Sequence, residues 1–195
     1  MVILFRGAYM TDISYLDESQ IRALLKAARM NRRDYLMLLL AYQLGLRAME
    51  VCPMQAGQFD TSTDKVFLTV ARLKGSKKTR HELAPETAAL VREYIAGMGP
   101  NEYLFKGNRR TAGSHIGYTT FYHAFLKYAK QAGVPLDIAS PHILKHSAAM
   151  GMLPNGVKMV QEHLGHKSGN SSMMYLSVKR SEVDAAAHRS LVGAL

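Results

Sequence analysis

Four short segments of this 195-residue chain carry side chains suited to work on an anion. Gly45-Leu46-Arg47-Ala48-Met49-Glu50 offers a guanidinium that can lay two parallel hydrogen bonds on a phosphate. Its Glu50, one helical turn on, is placed to hold that guanidinium. Lys74-Gly75-Ser76-Lys77 offers ammonium groups in a turn, and Pro141-His142-Ile143-Leu144-Lys145-His146 offers an imidazole and a further cation. Leu164-Gly165-His166 ends on a histidine, and Tyr175 follows nine residues later. His142 and His166 can donate hydrogen bonds to an anion or move protons near neutrality, and a phenol can act as a nucleophile. Singly, each has an ordinary structural reading. Arg47 can cap its helix, Lys74 shares its turn with Lys77 and Lys78, and a histidine or tyrosine usually packs. The weight lies in the ordered set.

In that order and spacing the four segments resemble the tyrosine recombinase (phage integrase) family, from about Tyr15 to Val178. The resemblance implies site-specific DNA recombination by cleavage and rejoining of strands through a 3′-phosphotyrosyl intermediate. It assigns catalytic roles to Tyr175 as nucleophile, Lys74 as the acid that protonates the departing 5′ oxygen, and Arg47, His142, Lys145 and His166 around the phosphate. Glu50 stands behind Arg47. The chemistry accounts for the residue types: a phosphodiester repels nucleophiles, so attack needs cations on the non-bridging oxygens, an in-line nucleophile and an acid for the leaving group. No cofactor and no metal is expected. The implied partner is double-stranded DNA, bound as a homodimer on each site and a tetramer across two, with a monomer in its absence. A type IB topoisomerase shares this chemistry but usually within a longer chain.

One position departs from the family. The His-x-x-Arg helix reads His142-x-x-Lys145, and lysine keeps the charge but not the bidentate fork. Losing a good charge-assisted hydrogen bond in a transition state costs roughly 2–4 kcal/mol. That leaves a slow enzyme, a site that compensates locally, or a protein without strand transfer. The alternative to the enzyme is therefore a non-catalytic DNA-binding protein on the same fold. Many family members also carry an N-terminal DNA-clamping domain, for which this chain has little room before Tyr15; a single-domain member and an excised fragment both fit.

The elements that must position these residues follow from pattern. The expected fold class is mainly α with a small antiparallel β-sheet (α+β), like the tyrosine recombinase catalytic domain. Residues 1–14 form an irregular lead-in, 15–180 the catalytic domain, and 181–195 a C-terminal helix that can pack on a neighbouring protomer. Asp17 with Gln20 signals a capping box for a helix through Arg29. Asn31 with Asp34 starts another, apolar nearly all round over Tyr35 to Leu46, so that Arg47 would sit at the end of a buried helix. Val66, Leu68 and Val70 alternate with Phe67 and Thr69 as a strand, Thr79 to Leu83 returns as a second, and Gln58 to Asp60 adds a short third. Later helices begin at Pro85 and run through Phe121–Ala132, His142–Leu153 and Val157–Leu164, with Gly133 and Gly165 as stops. Ser171 or Ser172 can cap a short helix carrying Tyr175.

Charge and composition agree with a polyanionic partner. The formal net charge is +10, and neutralised phosphates release counterions. Lys77, Lys78, Arg80, Arg109 and Arg110 are the candidate DNA contacts, with Arg109-Arg110 equally readable as a solvated loop. His81, His115, His123, His146 and His188 read as ordinary structural histidines, and the methionines as packing. Cys52 is the single cysteine, so no internal disulfide forms. No stretch suits a membrane span or signal peptide, and a cytoplasmic location is expected.

Overall fold

The computed structural model describes residues 13–73, 76–107 and 113–167, together with Ser172 and Tyr175. Helices α1 (Glu18–Ala28) and α2 (Arg32–Gln43) open the domain. Asp17 accepts from the Gln20 amide at 2.8 Å while the Gln20 side chain accepts from the Asp17 amide at 3.0 Å, the expected reciprocal cap. Asn31 caps α2 by accepting from the Asp34 amide. Asp34 itself is buried, and it accepts the Tyr128 hydroxyl at 2.9 Å, which ties α2 to the helix that carries Tyr128.

The apolar run of α2 is buried as its composition requires, but the helix stops at Gln43 rather than Leu46. Gly45 adopts φ 56°, and the Leu46 and Gly45 amides turn back to the carbonyls of Ala41 and Tyr42. This double bond closes the helix end as a Schellman motif. Arg47 is consequently not the last residue of a core helix. It is the N-cap of a separate short helix, α3 (Ala48–Val51).

A three-stranded antiparallel sheet follows: β1 (Phe59–Asp60), β2 (Phe67–Val70) and β3 (Thr79–Glu82), in the order β1-β2-β3. The register pairs Leu68 with His81 and Val70 with Thr79, so these residues share the buried face. Helices α4 (Pro85–Ile95), α5 (Tyr118–Gln131), α6 (His142–Met152) and α7 (Val157–Leu164) complete the described chain. A 3-10 turn, Leu153–Asn155, joins the last two.

The main core gathers α1 to α5, the sheet and the start of α6, with Leu24, Leu38, Leu40, Phe105, Phe121 and Phe125 fully enclosed. A smaller cluster, Ala149, Met150, Leu153, Val160, Leu164 and Tyr175, lies between α6 and α7. Two glycines let the backbone close around the junction. A Cβ on Gly45 would stand 2.3 Å from Leu164 Cδ2, and one on Gly165 (φ 66°) would stand 2.8–2.9 Å from Thr79 and the Lys77 carbonyl. The β2–β3 hairpin, the α2–α3 junction and the end of α7 therefore meet at van der Waals distance.

Candidate active site

Glu50 is the centre of the polar arrangement. Its side chain is wholly buried and accepts four hydrogen bonds: the Arg47 amide at 2.8 Å, Arg47 Nη1 at 2.9 Å, Arg72 Nη1 at 3.1 Å and the Leu73 amide at 2.9 Å. Burial alone would push the Glu50 carboxyl upward; the two amides and the two guanidinium groups outweigh it and hold the group below the usual carboxylate range. Glu50 is thus an anion at neutral pH and fixes Arg47 in place. The Arg47 side chain keeps 17% of its surface exposed, which leaves the guanidinium an open side.

Lys145 points into the same region from the second turn of α6. The residue is 5% exposed, and among the described residues its Nζ has no hydrogen-bond partner. Burial, then the charges of Arg47 and Arg72, push its ammonium down to about 8, with Glu50 opposing. His166, just past the end of α7, is pushed down to about 4 by burial and by Lys145, Arg47 and Arg72. It therefore stands as a neutral imidazole at pH 7, its Nδ1 paired with Ser172 Oγ at 2.9 Å. The electrostatic coupling places Arg47, Glu50, Arg72, Lys145 and His166 in one cluster, with cations outnumbering the carboxylate.

Tyr175 lies beside this cluster and is turned inward. It is helical, 1% exposed, and its hydroxyl lies 3.2 Å from His146 Nδ1. Burial pushes the phenol up to about 12, with Arg47 acting in the opposite direction. His142 sits at the exposed start of α6, and its charge is felt by His146 one turn on.

Among the candidate DNA contacts, Lys77 and Lys78 are exposed. Arg80 is exposed too, but it is engaged: it pairs with Asp60 at 3.0 Å and lies 3.8 Å above the Phe67 ring. Lys74, Arg109 and Arg110 lie outside the described residues, as do Ser171, His188 and the C-terminal helix expected over 181–195.

Three residues at the site escaped the sequence reading. Arg72, fully buried, is bound to Glu50 and to backbone carbonyls. His146, taken as an ordinary histidine, meets Tyr175. Its signal was available, because positions 142 and 146 share a helix face. Ser172, read as a helix cap, is itself helical and pairs with His166. Neither Arg72 nor Ser172 carried a local signal, since their partners are set by tertiary contact. Among the described residues no group of three or more metal-binding side chains forms, and no helix is long and apolar enough to cross a membrane.

The mainly helical domain with its small antiparallel sheet has the fold of tyrosine recombinase catalytic domains. The crystal structure of XerA recombinase superposes on it with a TM-score of 0.72 at 24% identity, over 91% of this chain and 65% of that one. Residues 14–182 match the phage integrase family, and the chain belongs to that family. A tyrosine recombinase of Pseudothermotoga lettingae is 33% identical over 168 residues, which are 84% of this chain and 56% of the relative. Tyrosine recombinase XerA of Pyrococcus furiosus is 29% identical over 178 residues, 89% of this chain and 60% of the relative. The chain thus spans a little over half the length of these relatives.

Proposed function

We propose that this domain cleaves and rejoins duplex DNA at specific sites through a 3′-phosphotyrosyl intermediate. The observation that carries the reading is the surplus of positive charge in a buried cluster. Among the described residues Arg47, Arg72 and Lys145 are balanced by Glu50, and the Lys145 ammonium has no hydrogen-bond partner. Such a surplus is costly in a folded protein unless an anion completes it. A phosphodiester fits, with Arg47 on one non-bridging oxygen and Lys145 on another or on the same one.

In the reaction the Tyr175 phenol oxygen bonds to phosphorus as the bond to the 5′ oxygen breaks. The phenolic proton leaves to a neighbouring base, and the 5′ oxygen departs as a hydroxyl after taking a proton from an acid, for which Lys74 is the candidate. The phosphodiester energy is kept in the tyrosyl link, so a second 5′ hydroxyl can reverse the step. A neutral His166 donates a hydrogen bond to the phosphate as charge builds. A phenol held near 12 and enclosed does not attack. DNA binding must first bring Tyr175 out of its apolar seat, away from His146. Duplex DNA is the proposed partner, with two protomers on each site and four across two.

The test is covalent trapping. Suicide duplexes tiled from the DNA flanking its own gene should yield a protein–DNA adduct with the wild-type chain and none with Tyr175→Phe, at unchanged affinity. Tight, salt-sensitive DNA binding without an adduct on any duplex would instead assign the chain to non-catalytic binding.

A further inference from the structure

Arg72 lies at the exit of β2, in a stretch with no recognisable motif, yet its side chain is completely enclosed. Burying a guanidinium is expensive unless its donors are satisfied. Here Nη1 reaches Glu50 Oε2 at 3.1 Å and the Gly45 carbonyl at 3.4 Å, while Nη2 reaches the carbonyls of Leu44 at 3.3 Å and His163 at 3.1 Å; Nε is buried without a hydrogen-bond partner among the described residues. The partners of Nη1 and Nη2 belong to two separate pieces of chain, residues 44–50 and the last turn of α7. Leu44 and Gly45 precede Arg47, Glu50 holds Arg47, and His163 lies three residues before His166. The Leu73 amide next to Arg72 binds Glu50 as well, and the Lys77 amide binds the Gly165 carbonyl at 2.9 Å. A planar fork with fixed donor directions can serve all these acceptors together; a single ammonium cannot.

We propose that Arg72 is the positioning residue of the site, setting Arg47 through Glu50 and His166 through the last turn of α7 at the separation one phosphodiester requires. Its donors face carboxylate and backbone, so it acts through other residues and not on the phosphate. The proposal rests on the phosphodiester reading above. It also accounts for the buried charge: Arg72 costs its desolvation and returns geometry, because its side chain joins the α2–α3 junction and α7 to the hairpin that carries it. A neighbouring group of this kind, displaced by about 1 Å, can change a rate about a hundredfold without touching substrate.

The experiment compares two suicide duplexes that differ at the scissile position, one a phosphodiester and one a methylphosphonate, whose methyl group removes the anionic charge that Arg47 would meet. On the phosphodiester, Arg72→Met should slow adduct formation about 10- to 100-fold while DNA affinity stays within about threefold. On the methylphosphonate the loss should shrink to within about threefold, in parallel with Arg47→Ala. Arg72→Lys should fall between wild type and Arg72→Met. It carries the comparison if the methionine variant does not fold. An equal loss for Arg72→Met on both duplexes, with Arg47→Ala rescued by the methyl group, overturns the proposal and makes Arg72 scaffold only. If Arg47→Ala is not rescued, or the wild type forms no adduct, the phosphodiester reading fails. Amide hydrogen exchange at Leu73 and Lys77 then decides for Arg72: faster exchange in Arg72→Met upholds its positioning role, and unchanged exchange refutes it.

Discussion

Lys145→Met should stabilise the DNA-free protein. The lysine is 5% exposed, no described group bonds its Nζ, and two guanidinium groups repel it. The fall of its pKa from an ordinary 10.5 to about 8 corresponds to about 3 kcal/mol held against the charged form. Methionine has similar length and no charge to desolvate, and it sacrifices no hydrogen bond. Below pH 8 both folded and unfolded chains carry the proton, so the whole penalty is present at neutral pH. Between about 8 and 10.5 the native state has released a proton that the unfolded chain keeps, and the penalty fades as pH rises. Above that window neither state is charged and the difference vanishes. Imperfect packing of the new side chain takes back part of the gain, so the expected stabilisation at pH 7 is about 1–3 kcal/mol. For a domain of this size that is about 3–10 °C in Tm. Urea or thermal unfolding of the two proteins in parallel at pH 7 and pH 10 measures it, with the difference between them isolating the lysine from every other titrating group. A variant no more stable than wild type at pH 7, or an advantage undiminished at pH 10, would refute the buried-orphan argument. On the proposed reading, in which a phosphate meets Lys145, the same variant should bind DNA more weakly.

Affinity for duplex DNA should fall steeply as salt rises from low to physiological levels, as read by fluorescence anisotropy; a flat response would remove the electrostatic basis of binding. Lys145→Arg should raise adduct formation about tenfold or more on a suicide duplex if the missing fork limits the rate, and a clear loss would mean the pocket has adapted around lysine. Gly165→Ala should destabilise the domain by about 1–3 kcal/mol, since its Cβ would meet Thr79 and the Lys77 carbonyl at a left-handed φ of 66°; chemical denaturation would show an unchanged midpoint if the hairpin simply moved aside.

Much of the architecture was legible because it rests on local rules. The capping box at Asp17 and Gln20, the alternation across Val66 to Val70, and the glycine stops at Gly133 and Gly165 act over a few residues, and the elements fall where those signals stand. The misplaced end of α2 shows the limit of hydrophobic periodicity. Leu44 and Leu46 are buried as a helical run predicts, but Gly45 terminates the helix between them, and an apolar side chain is buried equally well in a turn.

For the site, the chain itself determined which residue types were available and in what order: Arg47 with Glu50, the His142–Lys145 helix, His166, and Tyr175 nine residues on. Three things were decided only in three dimensions. Arg72 joins Leu44, Glu50 and His163, residues 22 to 91 positions away in sequence, and no local pattern can announce a contact made by chain closure. Lys145 became a strained buried cation because the fold removed it from water and brought the charges of Arg47 and Arg72 near it; alone in sequence it is an ordinary lysine. Tyr175 was placed in an apolar seat between α6 and α7, where desolvation raises its phenol to about 12. Residue chemistry is inherited from the sequence, whereas charge state and reach depend on dielectric and distance, and both of those are properties of the packed structure.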